Sequence, residues 1–174
     1  MTKIPTIFVR DERRPGHPVT DVVKPECAWV FQGEGTATLK MDGTNVKISN
    51  GQLYKRQKPK DRDYDEASYI ACARSNPSDR WAWEAFDRGH DGDGIYELVG
   101  PHVQGNPQQH AAHTLVRVVP PSACVLQLDA EPPRSFAGLR EYLRARPIEG
   151  LVFHHRDGRM AKIKRRDFGL KWPA

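Results

Sequence analysis

Short apolar and β-branched runs, broken by glycine, proline and asparagine, set the rhythm of this chain. Residues 4–9 (Ile4-Pro5-Thr6-Ile7-Phe8-Val9) predict a first strand, and the polar, proline-rich stretch 11–25 predicts a connection. Strands are then expected over 27–31, 35–41, 44–49 and 52–56, and later near 94–99, 114–119 and 123–128. Asn50-Gly51 lies between two apolar runs and suits a two-residue hairpin turn; Asp157-Gly158 does the same between 149–156 and 159–165. Two segments carry helical spacing. Residues 78–88 place Trp81, Ala82, Ala85 and Phe86 on a stripe that stops at Gly89, and 136–146 follow a capping Ser135 with Phe136, Leu139, Tyr142 and Leu143. Strands outnumber helices and the clearest pairs are hairpins. The expected fold class is therefore α+β, with antiparallel sheets flanked by helices.

The hairpins also predict which side chains meet, because directly opposed residues share a sheet face. In the first, Ser49 opposes Gln52, Ile48 opposes Leu53, Lys47 opposes Tyr54, Val46 opposes Lys55 and Asn45 opposes Arg56. In the second, a two-residue turn sets Phe153 against Lys162, Leu151 against Lys164 and Glu149 against Arg166. That register gathers Glu149, Lys162 and Lys164 on one side and sends Val152, Ala161 and Ile163 to the other. A carboxylate beside two ammonium groups suits a phosphate and a divalent cation. The plainer reading is a solvated strand face of alternating charge. Upstream, Lys40 and Asp42 share a face if their segment is extended, and Gly43 permits a bend or a close approach to a ligand. A lysine attacks only as the neutral amine, and neighbouring cations such as Lys162 and Lys164 favour that form.

The 174 residues suffice for one domain. With 27 Lys+Arg against 22 Asp+Glu, the net charge of +5 permits a polyanionic partner without requiring one. No apolar run approaches the roughly 20 residues that span a bilayer, and no apolar signal segment follows the N-terminus. The three cysteines are far apart. These features lead to the expectation of a cytoplasmic protein with no membrane partner. Asp91-Gly92-Asp93-Gly94 reads as a polar turn rather than a calcium loop.

Five segments stand in one order: Lys40-Met41-Asp42-Gly43-Thr44-Asn45; Tyr54-Lys55-Arg56; Tyr96-Glu97-Leu98-Val99-Gly100-Pro101-His102-Val103-Gln104-Gly105-Asn106; Glu149-Gly150-Leu151-Val152; and Lys162-Ile163-Lys164. In this order they resemble the covalent nucleotidyltransferase superfamily, and most of all ATP-dependent RNA ligases of the RNA ligase 2 type. The resemblance implies a nucleotidyltransferase (ATP-grasp-like) domain of two antiparallel β-sheets. It implies ATP as substrate and Mg2+ or Mn2+ as cofactor. RNA ends, a 5′-phosphate and a 3′-hydroxyl, would be joined, with RNA repair as the setting. A capping-like or DNA-ligase-like nucleotidyltransferase, or a silent nucleotide- or RNA-binding module, are the alternatives.

By the same resemblance, Lys40 takes AMP from ATP while Lys162 and Lys164 bind the α-phosphate. Arg56 contacts the nucleotide or the 5′-phosphate, Glu97 the ribose, and Asn45 the acceptor end or phosphate. Glu149 engages the metal, usually through water, and Asp42 supports the metal shell or fixes the Lys40 strand. Thr38 and Leu39 line the adenine pocket. Either His113 stacks on the base or a leucine or valine covers it, since 113–118 holds no Phe or Tyr. Ten residues follow Lys164, so the expectation is a stand-alone adenylation domain over 1–174 without an OB-type or helical C-terminal domain. Its grip on RNA would come from its own surface, an accessory chain or a homo-oligomer.

Overall fold

The computed structural model describes residues 3–57 and 68–173. The strands are β1 (Phe8–Arg10), β2 (Val19–Val23), β3 (Thr36–Leu39), β4 (Thr44–Ser49), β5 (Gln52–Gln57), β6 (Ser68–Ala71), β7 (Gly94–Val99), β8 (Thr114–Val119), β9 (Gly150–His154) and β10 (Met160–Lys164). The helices are α1 (Ala28–Phe31), α2 (Arg80–Arg88), α3 (Ala123–Leu126) and α4 (Phe136–Arg144). The class is α+β, as expected. One compact unit spans Met41–Val125, and the second is built from Ile4–Lys40 and Leu126–Ala174.

In the first unit, five antiparallel strands run in the order β6-β5-β4-β7-β8. The Asn50-Gly51 hairpin has the expected register from Ser49–Gln52 to Val46–Lys55. Asp93 accepts hydrogen bonds from both turn amides, Asn50 N (2.8 Å) and Gly51 N (3.4 Å). Val46, Ile48, Leu53, Tyr96 and Leu98 form the buried face, together with Ala82 and Ala85 of α2. Asp79, 2% exposed, leads into α2 and ties it to β5 through Lys55 Nζ (2.5 Å).

In the second unit the sheet order is β10-β9-β3, with β1 and β2 forming a separate pair. Residues 5–7 add a parallel bridge at the outer edge, Thr6 beside Lys162. Leu139 and Leu143 of α4 join Phe8, Leu151, Phe153 and Ile163 in one core. Phe8, Phe136 and Phe168 meet edge to face within it, at centroid separations of 5.1–6.2 Å. The Ser135 hydroxyl caps α4 by accepting from Gly138 N (3.1 Å).

Three expectations are corrected. Residues 27–31 are helical rather than a strand, because Pro25 begins a 3₁₀ turn whose fixed φ leads into α1. Residues 123–128 are likewise no strand but carry α3. A short apolar run does not by itself separate a buried strand from a buried helical turn. The third correction is the register of the late hairpin. His155 N bonds Arg159 O (2.9 Å), so Arg156, Asp157 and Gly158 form a three-residue loop with Gly158 at φ +92°. The extra loop residue moves every pair by one: Lys162 opposes Val152, Lys164 opposes Gly150, and Ala161 opposes Phe153. Leu151 and Phe153 thereby leave the lysine side and enter the core, while Val152 joins the lysines.

Leu151, fully buried between β3 and β10, should lose about 2–5 kcal/mol of stability on Leu151→Ala, measured by urea unfolding. Burial pushes the Asp79 carboxyl up, but the hydrogen bonds from Lys55, Ala73 N and Ser78 outweigh it and hold the carboxyl below its ordinary value. Its contribution is therefore present above the unfolded carboxylate range and is lost as pH falls through the lower folded value. Asp79→Asn should flatten the acid limb of a melting-temperature profile and lower the plateau at neutral pH.

Candidate functional site

The second unit's sheet has one apolar face and one face of polar and basic groups. Thr38, Val152 and Lys162 are aligned across β3, β9 and β10. One step further along, Lys40 N donates to Gly150 O (2.9 Å) and Lys164 opposes Gly150. Residues in register share a face, and alternate residues repeat it. Lys40, Thr38, Val152, His154, Lys162 and Lys164 therefore lie on one side. Ala37, Leu151, Phe153, Ala161 and Ile163 pack into the core on the other. The lysine grouping expected from the sequence is present, but through a different register.

Glu149 sits just before β9, and its main-chain oxygen accepts from Arg165 N (2.9 Å). Its carboxylate accepts from Lys40 Nζ at 2.6 Å. Both side chains are largely covered, Glu149 to 10% and Lys40 to 21% exposure. The contact depends on a glycine. A Cβ on Gly150 would lie 2.2 Å from Ile163 O and 2.8 Å from Lys164 Cα. The two strands can close beside Lys164 only without that atom.

Further along the same face, His154 Nε2 lies 3.1 Å from Thr38 Oγ1, and that hydroxyl donates to Val152 O (3.1 Å). Burial pushes the His154 imidazole below its ordinary value, leaving it neutral near pH 7. The sequence reading missed His154 as a site residue, because the expected register put Val152, and with it His154, on the face away from the lysines. Leu39 pairs with Leu151 on the core face. Thr38 is buried on the lysine face.

The first unit holds a second polar face. Asn45 opposes Glu97 across β4 and β7, and Arg56 opposes Tyr69 across β5 and β6. Alternation puts Asn45, Lys47, Tyr54, Arg56, Tyr69 and Glu97 on the side away from Val46, Leu53 and Leu98. Tyr69 OH donates to Asn45 Oδ1 (2.6 Å), and Gly43 N donates to Glu97 Oε1 (3.2 Å). Burial, aided by Glu97 and opposed by Arg56, pushes the Tyr69 hydroxyl pKa up, so it remains a donor. Tyr69 was also missed, since nothing in the sequence reading marked β6. At Gly43 the close approach is to the protein's own backbone rather than to a ligand: a Cβ there would lie 2.1 Å from Leu98 O.

Residues 40–43 lie outside the assigned strands, although the Lys40 amide still continues the β3 ladder. Asp42 N donates to Gln108 Oε1 (3.0 Å) within the first unit. His113, 3% exposed, is stacked on Trp81 at 4.4 Å, and its Nδ1 faces Glu84 Oε2 at 3.1 Å. It belongs to a ring cluster with Trp81 and His102 rather than to the Asn45–Glu97 face. A cleft of about 290 Å³ on the buried side of that sheet is lined by Val46, Lys55, Trp81, Leu98 and His102, among others, and by none of the residues expected from sequence.

Among the described residues, no three His, Cys, Asp or Glu side chains form a metal cage. Glu149 supplies one hard oxygen donor. That fits Mg2+ or Mn2+ held by a single carboxylate together with phosphate oxygens and water. The glycine argument gives a direct check. Gly150→Ala should cost about 1–3 kcal/mol through overpacking against β10, read from chemical unfolding.

Residues 92–174 match the family model described as RNA ligase 1. A curated RNA ligase 1 of Danio rerio is 35% identical over 85 residues, covering 44% of this chain and 25% of the relative. The chain thus matches about a quarter of that protein's length. The family match contains Glu97, Glu149, Lys162 and Lys164 and begins downstream of Lys40. Over that stretch, from β7 through the lysine-bearing strand β10, the chain is similar to an RNA ligase family.

Proposed function

We propose that the protein is an ATP-dependent RNA ligase that carries AMP on Lys40. The observation that supports this most is the Lys40 amine, held 2.6 Å from the Glu149 carboxylate on the sheet face that bears Lys162 and Lys164. The RNA ligase likeness over 92–174 supports it independently. In the first step the Lys40 ammonium gives up a proton to solvent and its neutral nitrogen attacks the α-phosphorus of ATP. An N–P bond forms, the bond to the bridging oxygen breaks, and pyrophosphate leaves as the nitrogen sheds a second proton to solvent. An oxygen of an RNA 5′-phosphate next attacks the adenylate phosphorus, so that a P–O–P bond forms, the N–P bond breaks and the Lys40 nitrogen takes up a proton again. A 3′-hydroxyl then attacks that end, forming the phosphodiester and releasing AMP.

The protein's own groups act by position and charge. Lys162 and Lys164 neutralise oxygens of the attacked phosphate. Glu149 orients Nζ and accepts its hydrogen bond. A divalent cation on Glu149 would neutralise phosphate charge and weaken the hold of the carboxylate on the ammonium. By resemblance, Glu97 takes the ribose, Asn45 the acceptor end or phosphate, and Arg56 the nucleotide or the 5′-phosphate; Thr38 lines the base pocket from the lysine face, while Leu39 packs on the core side. RNA repair is the setting we propose. The likeness is to RNA ligase 1, whereas the long third motif resembles the RNA ligase 2 type.

Incubation with ATP labelled at the α-phosphate and Mg2+ should label the protein. Lys40→Ala should abolish labelling, and Lys164→Ala should reduce it by roughly a hundredfold or more. Undiminished labelling of Lys40→Ala would overturn the proposal.

A further inference from the structure

The lysine-bearing strand depends on the beginning of the chain. Lys162 N donates to Pro5 O and Ile7 N donates to Lys162 O, both at 2.9 Å. Residues 5–7 thus satisfy both main-chain groups of Lys162 on the side away from β9. A second tie reaches Lys164. Asp167, with its side chain 2% exposed, accepts from Lys164 N through Oδ2 (2.9 Å) and from Arg10 Nη2 through Oδ1 (2.5 Å). Arg10 is itself anchored, its Nη1 donating to His17 O at 2.9 Å. One buried carboxylate therefore joins β1 to the point where Lys164 leaves β10 and turns into residues 165–168.

We propose that Asp167 and Arg10 are positioning residues for Lys164, so that the N-terminal strand completes the phosphate-binding face. The physical reasoning is direct. Lys164 is the last residue of β10, and its amide, like that of Lys162, lies on the side away from β9, where Asp167 takes it. Its amide would lose its partner without Asp167, and a buried carboxylate without Arg10 would lose its charge compensation. Displacing a phosphate-binding lysine by a fraction of an ångström to one ångström weakens its contact in the transition state more than in ground-state binding. The catalytic consequence rests on the ligase reading. The positional one rests on the geometry alone.

Two measurements separate them. Amide hydrogen exchange of Asp167→Ala should show faster exchange at Lys164, by about tenfold or more, with Leu151 and Phe153 unchanged. In the labelling assay, Asp167→Ala should lower kcat for adduct formation by about ten- to a hundredfold with a smaller change in KM for ATP. Arg10→Lys, which keeps the charge, should stay closer to the parent rate than Arg10→Ala. Val30→Ala, a core change remote from this network, serves as a control matched for melting temperature and should keep its rate. Should Asp167→Ala prove too unstable, Arg10→Ala, at a half-buried position, carries the same test. Unchanged exchange at Lys164, or a rate loss no larger than that of Val30→Ala, would overturn the positioning role. Absence of an adduct in the parent protein would overturn the ligase reading, and the exchange result would still decide the geometry.

Discussion

A single charged contact organises the second unit: the ammonium of Lys40 against the carboxylate of Glu149. The two residues are 109 apart in sequence, and three local facts bring them together. β3 ends at Leu39, so Lys40 is the first residue beyond it. Its amide is nevertheless held by Gly150 O, which continues the ladder one step. Gly150 has no Cβ, so β9 approaches β10 closely at that step. An ion pair this covered is costly to form without good geometry, and here the ladder supplies the geometry.

The same sheet shows how one strand pattern serves both stability and chemistry. Ala161 and Ile163 anchor β10 in the core, while Lys162 and Lys164 project from the other face. Moving the lysines would require moving the core residues between them, so packing energy holds the charges in place. The N-terminal segment adds the outer edge of this arrangement, and Asp167 closes its end. In the first unit, sheet alternation again separates Val46 and Leu98 from Asn45 and Glu97.

Much of this was legible in the residue pattern. The α+β class, the Asn50-Gly51 hairpin and its register, the Ser135 cap and the stop of α2 at Gly89 follow from short-range chemistry. The late hairpin was legible as a pair but not in register. Asp-Gly suits a two-residue turn, yet the chain spends Arg156 in the loop as well, and one residue changes every face. That the lysines still lie with Lys40 reflects the alternation within each strand, which a slip preserves. Glu149 reaches Lys40 from just outside β9, where strand alternation no longer applies. Tyr69, His154, Arg10 and Asp167 owe their places to contacts between distant segments, which local pattern does not encode. His113 was expected at a base, yet its ring packs on Trp81 because α2 brings the indole to it.

The central claim concerns which atom of the protein becomes covalently bound. The protein should be incubated with ATP and Mg2+, quenched, digested and analysed by peptide mass spectrometry under conditions that keep phosphoramidates intact. The account predicts one peptide, that containing Lys40, heavier by a single adenylyl group and fragmenting to place it on the Lys40 side chain. An adenylyl group on another residue, or no modified peptide under conditions in which RNA ends are joined, would contradict it.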